Sequence, residues 1–186
     1  KDQEQHLEMT RTFANRFNRL YNIDYFPEPV AYNFGEELVK IPGLDGSLKM
    51  SKSDNESSAI FLADSPEVIR KKVMRAVTDS GPLEPNQPRS QGVENLFDLM
   101  SYFSLPDTLK HFEESYQSGS IRYGDMKKQL AEDIIIFTTP FREKMKALET
   151  DEPYLKKVSA LGAEKARASA GKTIREVREI IGFKSF

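Results

Sequence analysis

The stretch Pro42-Gly43-Leu44-Asp45-Gly46-Ser47-Leu48-Lys49-Met50-Ser51-Lys52-Ser53 separates two kinds of sequence in this chain. Its first five residues form a strong turn signal. The five from Lys49 put two lysines three apart, with two hydroxyls between and after them. Two such ammonium groups can reach one polyphosphate, and exposed backbone N–H groups can complete its hydrogen bonding. Gly43 and Gly46 would let the segment move, so that the lysines arrive as charge develops. By composition alone a short Lys/Ser stretch is a solvated loop, so its weight depends on context.

Outward from this stretch the pattern changes. Residues 2–21 read as an amphipathic helix with Leu7, Ala14, Phe17 and Tyr21 at helical spacing, capped by Asp2 and stopping near Asn22. Residues 23–48 are broken by Pro and Gly; residues 29–32 and 38–41 read as short strands, and 59–62 as a strand or a single helical turn. Such strands are too few to close a sheet and need partners. Ser65-Pro66-Glu67 is a helix start, leading to a helix ending near Val77 that buries Val68, Ile69, Val73 and Val77. After a proline-rich loop at 82–90, the chain reads as helix over 91–103, 106–116 and 124–148, then from Pro153 to a stop at Gly182. Phe137 and Phe141 have the spacing of core residues, and Pro140 interrupts the donors of their helix.

Composition narrows the function classes. There are no cysteines, which excludes disulfides and thiolate metal sites and is compatible with a cytosolic protein. His6 and His111 lie far apart, so a zinc site is not expected. Membrane-spanning runs and a signal peptide are not visible. Residues from Arg122 onward hold 14 Lys/Arg against 10 Asp/Glu, and the totals of 27 and 29 leave 13 against 19 before it. A polyanion would therefore prefer the C-terminal part. Ala170-Gly171-Lys172-Thr173 echoes a phosphate loop, but Ala166 stands where the earlier glycine is required.

Lys49 to Ser53 match, letter for letter, the KMSKS signature of class I aminoacyl-tRNA synthetases. Lys1-Asp2-Gln3-Glu4-Gln5-His6-Leu7-Glu8-Met9-Thr10-Arg11, followed by Arg16-Phe17-Asn18, resembles the GxDQ-to-RFN segment of tryptophanyl-tRNA synthetases, whose leading Gly would fall just before Lys1. Lys71-Lys72-Val73 with Ala76-Val77-Thr78-Asp79-Ser80, Gly92-Val93-Glu94-Asn95-Leu96 and Gly162-Ala163-Glu164-Lys165-Ala166 resemble later pieces of the same family. The resemblance covers essentially the whole chain. Tyrosyl-tRNA synthetases share the DQ and KMSKS elements but lack the RFN-to-GAEKA set.

The resemblance implies a mainly α chain: residues 1–62 as the C-terminal remnant of a Rossmann-type α/β catalytic domain with few short strands, and 63–186 as a helical connector and anticodon-binding bundle. It implies ATP-dependent activation of L-tryptophan and transfer to tRNA(Trp), in the cytoplasm, by a homodimer with no membrane attachment. Asp2 would bind the ATP ribose, Gln3 would lie at the junction of ribose and amino-acid ammonium, and Lys1 would belong with them to the cofactor-binding residues. The backbone at Lys40 and Ile41 would contact adenine. Lys49 and Lys52 would be catalytic, stabilising the departing pyrophosphate, with Met50, Ser51 and Ser53 shaping the loop. Mg²⁺ would accompany ATP, with no structural metal. With the family's N-terminal half outside these residues, the chain alone is expected to be inactive. A synthetase-like regulator and a bare tRNA-binding module are the alternatives.

Overall fold

The computed structural model of the chain describes residues 3–32, 39–51 and 56–183. Among them the regular structure is six helices: α1 Glu4–Tyr21, α2 Pro66–Met74, α3 Gln91–Phe103, α4 Pro106–Gln117, α5 Tyr123–Glu149 and α6 Glu152–Ile180. The mainly α architecture is as expected. The short strands are not: among the described residues, 29–32 and 39–41 contain no strand (Leu38 lies outside them), and 59–62, open between strand and helical turn, run as irregular chain into a turn. A strand exists through its ladder, and these pieces spend backbone groups elsewhere. Pro29 O accepts from the Arg11 guanidinium, Ile41 O from Met50 N–H, and Ala59 O from the Lys72 ammonium.

The chain divides by packing into two compact units, Lys1–Leu38 with Pro153–Phe186, and Val39–Glu152. These cuts follow contacts, whereas the boundary at 62/63 read from the sequence follows role. Residues 39–51 and 56–62 thus pack as part of the unit that holds α2 to α5.

In the unit Val39–Glu152, α2 and α3 both lie against α5, and α4 against α3. The core is Ile69 and Val73 from α2, Val93, Leu96, Leu99 and Met100 from α3, and Met126, Leu130 and Ile134 from α5, each at most 1% exposed. Fully burying one such side chain contributes roughly 1.5–3 kcal/mol. The Ser65 hydroxyl caps α2 by accepting from Val68 N–H, and Pro66 takes the first turn. That helix ends at Met74, earlier than its pattern suggests. The reason is a long-range contact: Val77 N–H goes to Leu44 O at 2.8 Å instead of back to Val73. Val77, past the helix end, is exposed, and so is Val68 in the first turn, both expected to be buried. α5 continues through Pro140, and Phe137 and Phe141, expected in the core, remain about half exposed.

In the other unit, α1 starts after Gln3, which makes no side-chain cap, and closes on Asn22 in the left-handed conformation at φ 51°. Asp2, the expected cap, lies outside the described residues. Asn18 Oδ1 accepts from the N–H groups of Tyr25 and Phe26, turning the chain back along α1. Phe17, Tyr21, Tyr25 and Phe26 form a tilted and edge-on aromatic cluster. The Tyr25 hydroxyl donates to Glu176 on α6 at 2.6 Å, and this bond, followed by burial, raises its pKa. α6 closes at Gly182, φ 77°, as its sequence suggests.

Candidate functional site

The sequence-derived site residues divide between the two units. Gln3 begins α1 in one, and Lys40, Ile41, Lys49, Met50 and Ser51 belong to the other. Lys1, Asp2, Lys52 and Ser53 lie outside the described residues.

Around Lys49 the backbone forms a closed turn. Gly43 N–H donates to Ser47 O at 3.0 Å, and Met50 N–H to Ile41 O at 2.7 Å. Asp45 Oδ1 accepts from both the N–H and the hydroxyl of Ser47, at 3.1 and 2.6 Å. Those two bonds, the hydroxyl's first, hold the Asp45 carboxyl below the usual carboxylate range. Gly46 sits at φ 86°, where a Cβ would strain the turn. The glycines read from sequence as slack are therefore part of a bonded structure: Gly43 is buried, with both backbone groups engaged.

The turn is seated on the helices by residues that the sequence reading did not single out for chemistry. The Asn95 amide on α3 donates to Gly43 O and Ser47 O. Leu44, 3% exposed, enters the core, its O accepting from Val77 N–H and its N–H donating to Ser58 O. Gly92 faces Val77 O so closely that any Cβ would collide with it. From this seat Lys49 projects as an exposed side chain. Beyond Ser51 the chain is picked up again at Ser58 to Asp64. Ile60 N–H points at Met50 Sδ at 3.3 Å, and Lys72 joins Ala59 O to the Asp64 carboxylate at 2.9 and 2.7 Å while lying 4.7 Å from the Phe61 ring centre. An apolar recess of about 280 Å³ opens beside the turn, with Ile41, Met50, Phe61 and Phe137 in its wall.

Further polar groups hold this frame, Lys127 and Arg142 buried and Asp79 at the surface. Lys127 donates to Ala76 O at 2.7 Å and Thr78 Oγ1 at 3.1 Å, and burial lowers its pKa. Arg142 donates to Asp64 O and to the hydroxyls of Thr138 and Thr139. Asp79 accepts from the hydroxyls of Ser90 and Tyr123 and from Gly81 N–H. Burial pushes its carboxyl up, but these three donors outweigh it and the net shift is downward. Burial and the bond to Asp79 raise the Tyr123 phenol. A signal for Asn95 was present: an amide inside the apolar run of α3, between Val93 and Leu96. Among the described residues no group of three or more His, Cys, Asp or Glu side chains could hold a metal ion, and no helix is long and apolar enough to cross a membrane.

Comparison with known proteins gives the class of this chain. Residues 1–139 match the family model of tRNA synthetases class I (W and Y), and the chain belongs to that family. Within it, the chain is similar to the tryptophan–tRNA ligase of Porphyromonas gingivalis, 53% identical over 184 residues that cover 99% of this chain and 56% of the relative. The tryptophan–tRNA ligase of Helicobacter pylori is 37% identical, with 98% and 54% covered. Among solved structures, the Campylobacter jejuni tryptophanyl-tRNA synthetase complexed with ADP and tryptophane matches with a TM-score of 0.80 at 30% identity, over 98% of this chain and 55% of that one. The chain spans about half the length of the curated relatives it matches.

Proposed function

We propose that the chain is the C-terminal part of a tryptophan–tRNA ligase and supplies the lysine-bearing side of its ATP site. The observation that carries the proposal is the exposed Lys49 standing beside a hydrogen-bonded turn that is anchored by its buried Gly43 and Leu44, in a chain of this family. Residues 1–62 would complete the catalytic domain, and 63–186 would form the connector and the anticodon-binding helices.

In the first step a tryptophan carboxylate oxygen attacks the α-phosphorus of ATP, and the bond to the bridging oxygen breaks. Tryptophanyl-adenylate forms and pyrophosphate leaves with the electron pair. In the second step a ribose hydroxyl at the tRNA end attacks the adenylate carbonyl, and AMP leaves. The first step gathers negative charge on the departing oxygens. A lysine is a point charge suited to that task, and a preorganised turn limits the reorganisation needed at the moment of reaction. Lys49 takes this role together with Lys52. Asp2 holds the ribose, beside Lys1, and Gln3 lies where ribose meets the amino-acid ammonium. The backbone of Lys40 and Ile41 borders adenine, which suits the apolar wall to which Ile41 contributes. Met50 and Ser51, with Ser53, shape the loop. Mg²⁺ enters with ATP, on its phosphates. The whole enzyme works as a homodimer on tRNA(Trp) in the cytoplasm.

The test is a joined enzyme in which this chain replaces the matching 184-residue segment of the Porphyromonas gingivalis tryptophan–tRNA ligase. Pyrophosphate exchange and tRNA charging that depend on tryptophan and not on tyrosine support the proposal. A folded joined enzyme that exchanges with tyrosine, or with neither amino acid, overturns it.

A further inference from the structure

We propose that Asn95 is a positioning residue for Lys49, acting through the turn at 43–47. The inference rests on the reading of Lys49 as the group that stabilises pyrophosphate. Asn95 is 2% exposed and belongs to α3, not to the loop. Its amide is engaged at three points. Nδ2 donates to Gly43 O at 2.9 Å and to Ser47 O at 2.8 Å, and Oδ1 accepts from Gln91 Nε2 at 2.8 Å. The surroundings fix the orientation of the amide. Two carbonyl oxygens face one side of it, so only the NH₂ group fits there, and the oxygen is left for Gln91.

The two carbonyls bracket the turn. They belong to residues already joined by the Gly43 N–H to Ser47 O bond, and the Ser47 hydroxyl, whose one proton goes to Asp45 Oδ1 at 2.6 Å, ties the same turn to Asp45. From the α3 side chain the path to Lys49 is thus the Asn95 to Ser47 O bond and two further backbone steps, with Met50 N–H held by Ile41 O just beyond. The other face of the turn is tied through Leu44 O to Val77, which is itself packed on Gly92 one turn before Asn95. A well-buried helix thereby sets the origin from which the Lys49 side chain reaches. A small error at that origin is carried to the ammonium, and displacements of about 1 Å at a reacting centre can cost on the order of a hundredfold in rate. Functional groups act at full strength when the residues supporting them are locked by packing and hydrogen bonds.

A purely structural Asn95 would satisfy the same two carbonyls, so the test has to separate stability from positioning. In the joined enzyme, Asn95→Ala, Gln91→Ala, Lys49→Ala and the paired variants with Lys49→Ala are compared. The readouts are kcat and KM for ATP and tryptophan in pyrophosphate exchange, with the thermal unfolding midpoint of each protein. Positioning predicts that Asn95→Ala lowers kcat about tenfold or more, with KM for tryptophan unchanged. It also predicts that the same change in the Lys49→Ala background costs less than about twofold, because the two act as one unit. Gln91 is exposed, so Gln91→Ala should fold; it should lower kcat by about two- to threefold at an unaltered midpoint. If Asn95→Ala does not fold, Gln91→Ala and its pairing with Lys49→Ala decide. Unchanged kcat in the folded variants, or equal losses with and without Lys49, overturns the inference alone. Full kcat in Lys49→Ala overturns both the inference and the reading of Lys49 beneath it.

Discussion

The unit Val39–Glu152 and the unit formed by residues 1–38 with 153–186 carry apolar stripes of the same helical period, yet they use them differently. α3 buries seven of its thirteen residues, and α5 buries eight along its length. The twenty-nine residues of α6 include none that is buried, and α1 buries only Ala14. Leu155, Val158 and Leu161 recur on α6 at helical spacing and are each nearly half exposed, while Phe13 and Leu20 on α1 are exposed further. Periodicity thus tells which face of a helix is apolar, not whether anything covers it. The lysine-bearing turn belongs to the unit that holds the buried core. That placement is what a charge-stabilising loop requires, since its seat has to be rigid for the charge to be well aimed.

Substitutions can break or sharpen this contrast. The largest effect is expected from Leu130→Ala, at a fully buried position on α5. Urea unfolding followed by far-ultraviolet circular dichroism should show a loss of about 2–5 kcal/mol, through lost burial and the cavity left behind. A loss under 1 kcal/mol would mean that the covered unit is packed no better than the other. Next comes Lys127→Ala, which deprives the Ala76 carbonyl of its donor. A buried acceptor left unpaired costs about 1–3 kcal/mol, and the same titration measures it.

Acid should act on the covered unit through Asp79. Its carboxyl titrates below the usual value in the folded chain, so the folded state binds this proton less readily than the unfolded state. The stabilising contribution is complete above about pH 4, the unfolded value, and is lost as pH falls through the folded one. Urea midpoints measured from neutral pH downward should fall in this range, and more shallowly in Asp79→Asn. Equal slopes in the two proteins would remove Asp79 from the account. The smallest effect is expected at Val158→Ala on α6, within about 0.5 kcal/mol apart from a slight gain in helix propensity. A loss comparable to that at Leu130 would erase the contrast between the two units.

Much of the helical architecture was legible because local rules and final packing agree. Ser65-Pro66, Asn22 and Gly182 end or begin helices where their chemistry places them. The short strands were not legible in the same way. Alternation at 29–32 or 38–41 states a preference, while a strand needs a partner ladder, and among the described residues Ile41 O finds Met50 instead. The end of α2 depended on Leu44, more than thirty positions upstream, and no local pattern carries that information. The candidate site was legible as letters, Lys49 to Ser53. Its support was not: Asn95, Lys72 and Lys127 gain meaning only when the fold brings backbone carbonyls to them. Gly43 and Gly46, read as freedom, are parts of a closed turn, because glycine permits a tight bonded conformation as readily as a loose one.

The most direct measurement is the rate of tryptophan-dependent pyrophosphate exchange in the joined enzyme with Lys49 replaced by Ala. If Lys49 is the charge that meets the departing pyrophosphate, kcat should fall on the order of a hundredfold or more, with KM for tryptophan little changed. A kcat equal to that of the unsubstituted enzyme would contradict the account.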